Sequence, residues 1–317
     1  CRESGSTLRF MIPLCLLSGS PMRLEGSETL LSRPLSVYED LCRKQDFTLM
    51  RSNGGLLVQG RLSPGQYDIP GGISSQFITG LLFALPLLSG GSRIRLIPPV
   101  ESRSYLSLTL QALRDAGISV QQTEEYTFSV PGNVVYRTQN TEVEGDYSNA
   151  AFFEALNFAG GSVTVTGLRP DSLQGDRVYR DCLGRIEEKY TELDLTDCPD
   201  LAPVLIAASA LCSGALFTGT RRLRFKESDR GSAMAQELAK FGIRLTLEEN
   251  RIIVPAAPLH TPTEPLDSHN DHRIAMALSL LCTRTGGEIR GAEAVRKSFP
   301  DYWEKLQSLG IDMSFTP

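Results

Sequence analysis

Five consecutive residues, Lys226-Glu227-Ser228-Asp229-Arg230, combine the ingredients of proton transfer and anion capture. Lys226 is a compact cation and Glu227 a carboxylate that can give or take a proton. Arg230 is a planar fork suited to a carboxylate or phosphate. Before them, Leu223-Arg224-Phe225 alternates like the tail of a strand; after them, Met234, Leu238 and Phe241 recur at helical spacing. Ser228 or Asp229 can cap that helix, so the run is expected to be a strand-to-helix corner whose backbone N–H groups favour an anion. A capped helix with solvated charges would read the same way, which leaves the other corners of the chain to decide.

Those corners repeat the theme. Ser74-Ser75-Gln76 opens an apolar helix with two hydroxyls and an amide, a neutral cradle for phosphate or polyol or simply an N-cap. Ser102-Arg103-Ser104-Tyr105 begins another helix, and Arg33 precedes a Pro at a helix entry. Asn270-Asp271-His272-Arg273 caps a further apolar helix, and Lys297 precedes the last one. Asp200 stands where Cys198-Pro199-Asp200-Leu201 enters Ala202–Leu211, as an N-cap or as a base held at a helix entrance. His269-x-x-His272 raises a metal reading, set aside because the chain has only three histidines and no second ligand cluster. Together Arg33, Lys226, Arg230, Arg273 and Lys297, with the carboxylates Asp200 and Glu227, describe a site for a multiply anionic substrate and acid–base chemistry.

Composition narrows the class. The 317 residues are long enough for two domains, and 41% hydrophobic with 22% charged residues is ordinary for a globular protein. A net charge of −5 argues against nucleic acid and makes each cationic cluster local, which suits small anionic ligands. Seven scattered cysteines without a C-x-x-C suggest reduced thiols and a cytoplasmic enzyme. The longest apolar run, Phe77 to Leu88, carries Thr79, Gly80 and Pro86 and is too short for a membrane span. The opening Cys1-Arg2-Glu3-Ser4-Gly5 has an acid where a signal peptide would be basic, and is expected to start mid-domain.

Positioning the corners falls to an internal repeat. Five times, near Gly5, Ser74, Ser148, Asp200 and Asp271, a small or polar start leads into an apolar helix, a Gly-containing turn and a β-rich strand. A more amphipathic helix follows each: Ser36–Cys42, Tyr105–Ala116, Arg177–Ile186, Ser232–Phe241 and Tyr302–Leu309. Three end in Gly-Ile, at Gly117, Gly242 and Gly310, with Gly at the helix C-terminus. Hairpins are expected over Ser119–Val130 and Arg244–Val254. The unit is strand–helix–strand–helix–hairpin, an α/β architecture whose all-round apolar helix is buried while its partner faces solvent. Five copies suggest six in two domains of three, with roughly one absent upstream; the division is placed at 1–142 and 143–317.

The motifs ESGSTLR (3–9), SRPL (32–35), SSQF (74–77), SRSY (102–105), GDYSNAAFF (145–153), SLQGD (172–176), CPDL (198–201), LRFKESDR (223–230), NDHRIAMA (270–277) and RKSFPDYW (296–303) run the length of the chain. Through them it resembles the 5-enolpyruvylshikimate-3-phosphate synthase (3-phosphoshikimate 1-carboxyvinyltransferase) family of the shikimate pathway. The resemblance implies a two-domain inside-out α/β barrel of βαβαββ units (the enolpyruvyl transferase fold), with the first unit missing and substrates in the cleft between domains. It implies that Ser74, Ser75, Gln76, Ser102, Tyr105, Asp200 and Lys226 hold shikimate-3-phosphate, and that Gly5, Arg33, Gln76, Arg230, Arg273 and Lys297 hold phosphoenolpyruvate. Asp200 would lie by the reacting 5-hydroxyl, Glu227 by the phosphoenolpyruvate methylene, and Lys226 between the substrates.

No cofactor or metal is implied, and the protein is expected to be a monomer without nucleic-acid or membrane partners. The family's initial Lys-Ser-x-x-x-x-Arg segment has no match, so a chain made from Cys1 onward is expected to turn over poorly. Arg222 stands where many members have Asn, Gly231 where Leu is common, and 184–196 is short. The rival readings are a UDP-N-acetylglucosamine 1-carboxyvinyltransferase, which lacks KESDR and uses a loop cysteine, and a non-catalytic substrate-binding fragment.

Overall fold

Two helices with no polar face organise the second half of the molecule, and a third does so in the first. In the computed structural model, which describes residues 1–137 and 140–316, the chain forms two compact units, Cys1–Glu142 and Val143–Pro317. Each has its own hydrophobic core.

The first unit runs α1 (Gly5–Cys15), β1 (Met22–Glu25), α2 (Glu28–Ser32), α3 (Ser36–Cys42), β2 (Phe47–Ser52) and β3 (Gly55–Gly60). It continues with β4 (Gln66–Pro70), α4 (Ser75–Ala84), β5 (Ser92–Ile97), α5 (Arg103–Asp115), β6 (Gln121–Glu124) and β7 (Thr127–Val130). The second unit runs α6 (Tyr147–Glu154), α7 (Tyr179–Glu188), β8 (Thr191–Asp194), α8 (Ala202–Ala210), β9 (Ala215–Thr218) and α9 (Arg230–Lys240). After these come β10 (Thr246–Leu247), β11 (Arg251–Val254), β12 (Leu266–Asp267), α10 (His272–Thr285), β13 (Ile289–Arg290) and α11 (Tyr302–Ser308).

The repeat is visible in the strand order. One copy gives the sheet β4-β5-β7-β6 and another β8-β9-β11-β10. In both, the first pair is parallel across an apolar helix and the hairpin adds antiparallel to it. The β1-β3-β2 sheet has the same hairpin arrangement, and β12 pairs parallel with β13 across α10. Burial follows the apolar patterning. Every residue of α8 and Ser279 with its ten-residue stretch His272–Leu281 of α10 lie in the interior. In α5 only Leu106, Thr109 and Leu113 are buried, one stripe of an amphipathic helix. Within the second unit α10 packs against α8 and α6, and within the first α1 packs against α4.

The helix starts are capped by the short polar residues that precede them. Ser4 accepts from Thr7 N–H, Ser74 from Gln76, Asp146 from Ser148, Asp229 from Ser232 and Asp271 from Arg273. The three Gly-Ile ends close alike: Gly117, Gly242 and Gly310 have φ of +81°, +87° and +89°. The following Ile N–H reaches back to Leu113, Leu238 or Leu306, the Schellman closure.

Two expectations need correction. The stretch from Leu223 is not a strand tail: β9 ends at Thr218 and Arg221–Phe225 is a 3-10 turn. A strand would send Leu223 and Phe225 to one face, yet Leu223 is buried and Phe225 is 51% exposed. The copy beginning near Ser148 also lacks its strand: residues 161–167 form no strand and pair with no neighbouring one among the described residues. Side chains take that backbone instead, Asn157 bonding both the N–H and the C=O of Val163.

Candidate active site

Arg230 is the hub of the second unit. It is the first residue of α9, held there by the Asp229 cap, and only 1% exposed. Its guanidinium donates to three carboxylates: Asp200 at 2.7 Å, Glu227 at 2.6 Å and Asp271 at 2.9 Å. Asp271 was legible only as a helix cap. Its Oδ1 does accept from Arg273 N–H, but its Oδ2 takes Nε of Arg230 and the hydroxyl of Ser228. One buried carboxylate thus ties the start of α10 to the 226–230 corner.

Asp200 lies in the 3-10 turn Pro199–Leu201, one residue before Leu201, which occupies the N-cap position of α8. The Asp200 side chain faces cations: Lys226 Nζ at 3.0 Å, Arg230 at 2.7 Å and Arg273 Nη2 at 3.6 Å, while Arg273 Nη1 also donates to the Asp200 carbonyl. Burial pushes the Asp200 carboxyl up, but Arg273, Lys226 and Arg230 outweigh it and hold the group well below the usual carboxylate range. Burial pushes the Lys226 ammonium down from its ordinary value, against the attraction of Asp200. Asp271 is likewise depressed: burial would raise it, and the charge and hydrogen bond of Arg230 override that. His272 is pushed down to about 4, first by burial and then by Arg273, so it is a neutral imidazole at neutral pH.

Lys297, at the end of the 3-10 turn Ala292–Lys297, donates to both the backbone and side-chain oxygens of Asn270 at 2.7 Å. This places it beside Asp271, at the rim of the same network. His269 binds Glu237 and His272 lies near Asp271, so the two imidazoles have separate partners. Among the described residues no group of His, Cys, Asp or Glu is arranged to hold a metal ion.

The first unit gathers a second set. Gly5 begins α1 with its backbone against Arg33; a Cβ there would lie 2.7 Å from Arg33 Nη1 and 3.7 Å from Gln76 Oε1. Arg9, four residues on in α1, donates to Gln76 Oε1 at 2.6 Å and to the Pro34 carbonyl, fixing the amide and the Arg33-Pro34 turn together. In the sequence Arg9 carries no signal beyond its place in the motif at 3–9. Ser74 caps α4 and Ser75 is buried in its first turn. Ser102 precedes α5 in the left-handed region at φ +57° and only 2% exposed, a strained setting of the kind found at ligand sites. Tyr105 is half-buried one turn on, and the Thr79–Thr109 hydroxyl pair at 2.8 Å locks α4 to α5 below both.

Each unit therefore brings its own candidate residues together: Gly5, Arg33 and Gln76 in one, and Asp200, Lys226, Glu227, Arg230 and Arg273 in the other, with Lys297 adjoining. Every cation of the second set is engaged, chiefly by the site's own acids, so an incoming anion must compete for them. The arrangement can polarise an anion, hold one carboxylate ionised and place an ammonium 3.0 Å from it.

The comparisons bear on what that chemistry is. Residues 1–306 match the family described as EPSP synthase (3-phosphoshikimate 1-carboxyvinyltransferase). The 3-phosphoshikimate 1-carboxyvinyltransferase of Clostridium kluyveri is 38% identical, covering 98% of this chain and 78% of the relative. That of Clostridium acetobutylicum is 37% identical over 99% of this chain and 78% of the relative. An EPSP synthase structure from Acinetobacter baumannii has a TM-score of 0.76 at 24% identity, over 99% of this chain and 79% of that one. The enolpyruvyl transferase NikO from Streptomyces tendae reaches 0.73 at 18%, over 97% and 77%; both establish the fold, an inside-out α/β architecture with its apolar helices within. By sequence and by fold, the chain belongs to the EPSP synthase (3-phosphoshikimate 1-carboxyvinyltransferase) family.

Proposed function

We propose that the chain transfers the enolpyruvyl group of phosphoenolpyruvate to the 5-hydroxyl of shikimate-3-phosphate and releases phosphate. The observation that carries this reading beyond family membership is Asp200, a carboxylate held ionised among Lys226, Arg230 and Arg273. Ser74, Ser75, Gln76, Ser102 and Tyr105 hold shikimate-3-phosphate, with Asp200 and Lys226 at its reacting hydroxyl. Gly5, Arg33, Gln76, Arg230, Arg273 and Lys297 hold phosphoenolpyruvate.

A carboxylate depressed this far is a weak base until its cations are drawn away. Phosphoenolpyruvate does this by taking over Arg230 and Arg273, so the base is released when the second substrate arrives. Asp200, with Lys226 alongside, accepts the hydroxyl proton as oxygen bonds to the substituted alkene carbon. Glu227, freed from Arg230 by the same exchange, takes up a proton from solvent and gives it to the methylene. In the second half the bond to phosphate breaks, Glu227 recovers a proton from the new methyl group, and the hydroxyl proton leaves on phosphate. Net charge is conserved and the alkene is restored without a cofactor.

No helix is long and apolar enough to cross a membrane among the described residues, and we place the protein in the cytoplasm as a monomer. The test is phosphate release from phosphoenolpyruvate: it should require shikimate-3-phosphate, and UDP-N-acetylglucosamine should not replace it. Release with the nucleotide sugar alone would overturn the reading, as would binding of both substrates without release.

A further inference from the structure

Asp176, in the 3-10 turn Gly175–Val178, is a carboxylate for which the reaction above has no use, yet it is buried beside the residues that do the work. It is 4% exposed, as is Ser148, whose hydroxyl donates to its Oδ2. The other oxygen, Oδ1, is buried without a hydrogen-bond partner. α6, which carries Ser148 in its first turn, packs on both the Gly175–Val178 turn and the Pro199–Leu201 turn that carries Asp200. The charged and titratable groups facing Asp176 are Asp200 and Cys198 from that turn, Lys226 from the corner and Arg273 from α10.

An orphaned oxygen in the interior is costly on a carboxylate and far less so on a neutral acid. Burial first, and then the charge of Asp200, push Asp176 up to about 6, while Asp200 itself is held far below its usual range. Two carboxyls whose surroundings separate them in this way divide the roles of proton holder and anion. The cations that favour ionised Asp176, Arg273 and Lys226, are the ones an anionic substrate engages.

We propose that Asp176 is a positioning residue that enters the reaction as a neutral acid, so that Asp200 remains the charged member of the pair. Resting on the enolpyruvyl-transfer reading, this means that an enzyme with Asp176 ionised must take up one proton, from solvent, when phosphoenolpyruvate binds. The proton adds to a carboxylate oxygen of Asp176 and no other bond changes.

The experiment compares the full chain with Asp176→Asn, an isostere fixed in the neutral form, and Asp176→Ala, across pH 5.5 to 8. Taking the ratio of wild-type to Asn kcat/KM cancels the ionisation of the substrates' own phosphates. That ratio should fall by about tenfold or more over the two pH units above about 6. The corresponding kcat ratio should fall less, because bound substrate keeps the proton in place. At pH 7 Asp176→Ala should lose about tenfold or more in kcat/KM and Asn should recover most of it. A flat or rising ratio, or an Asn variant as impaired as Ala, would overturn the proposal. Calorimetry of phosphoenolpyruvate binding in the presence of shikimate, in two buffers of different ionisation enthalpy at pH 7 and at a temperature where both proteins are folded, should show the wild type taking up more protons than Asp176→Asn, the difference cancelling the substrate's phosphate and Glu227; equal uptake would overturn the proposal. Absence of phosphate release in the wild type would instead count against the enolpyruvyl-transfer reading.

Discussion

Arg230 and Asp271 show how much of this site is held by charge. Their side chains are 1% and 0% exposed, and Asp271 would be a stranded ion without Arg230, whereas Arg230 also holds Asp200 and Glu227. Asp271→Asn leaves the guanidinium with two of its three carboxylates and should destabilise the chain by about 1.5–3 kcal/mol, read as a lower urea midpoint at pH 7. The pH dependence has a definite sign. Asp271 has its folded pKa lowered, so its contribution is fully present above the unfolded value of about 4 and is lost as pH falls from there toward the folded value. The gap between wild type and Asp271→Asn should therefore be constant from pH 5 to 7 and shrink below about pH 4; a gap that grew on acidification would contradict the pairing.

At the scale of elements, the Gly-terminated helices give a paired test. Gly242 and Gly310 share the left-handed geometry, so Ala at either costs about 1–2 kcal/mol for the backbone alone. A Cβ at Gly242 would also lie 2.7 Å from His260 Cδ2, whereas Gly310 has open space around it. Thermal melts should show Gly242→Ala as the more damaging of the two, and equal losses would mean that the His260 contact yields freely. These helix ends were legible because Gly followed by Ile after an amphipathic run has one common physical use. The apolar helices α4, α8 and α10 were legible for a similar reason, their length and lack of a polar face. Where the reading failed, the deciding interaction was distant in sequence. Asn157 captures the backbone of Val163 in place of a strand partner, and Leu223 is buried while Phe225 is not. Within the site, Asp200 and Arg230 could be picked out by residue type and setting. Asp271 could not be known as more than a cap, nor Asp176 as more than part of a motif, since their roles arise from partners 41 and 28 residues away.

For the whole molecule, one supersecondary unit has been used repeatedly: two four-stranded sheets share a strand order, and in each unit an apolar helix is wrapped by amphipathic elements. Each unit orders its helix starts with the same caps and places its polar residues there. On the proposed reading, the first would supply hydroxyls, an amide and Arg33, and the second would supply Asp200 and Glu227 as the acid–base pair with their cations. In this account binding and proton transfer are separable, because the groups that remove and deliver protons are not the ones that make most of the contacts. The most direct measurement is turnover against binding for Asp200→Asn and Glu227→Gln in the full chain, with phosphate release giving kcat and calorimetry giving the shikimate-3-phosphate affinity. The account predicts that kcat falls by about 10²–10⁴-fold in each while the dissociation constant changes by less than about tenfold. Near-normal turnover in either variant, or a loss of affinity as large as the loss of rate, would contradict it.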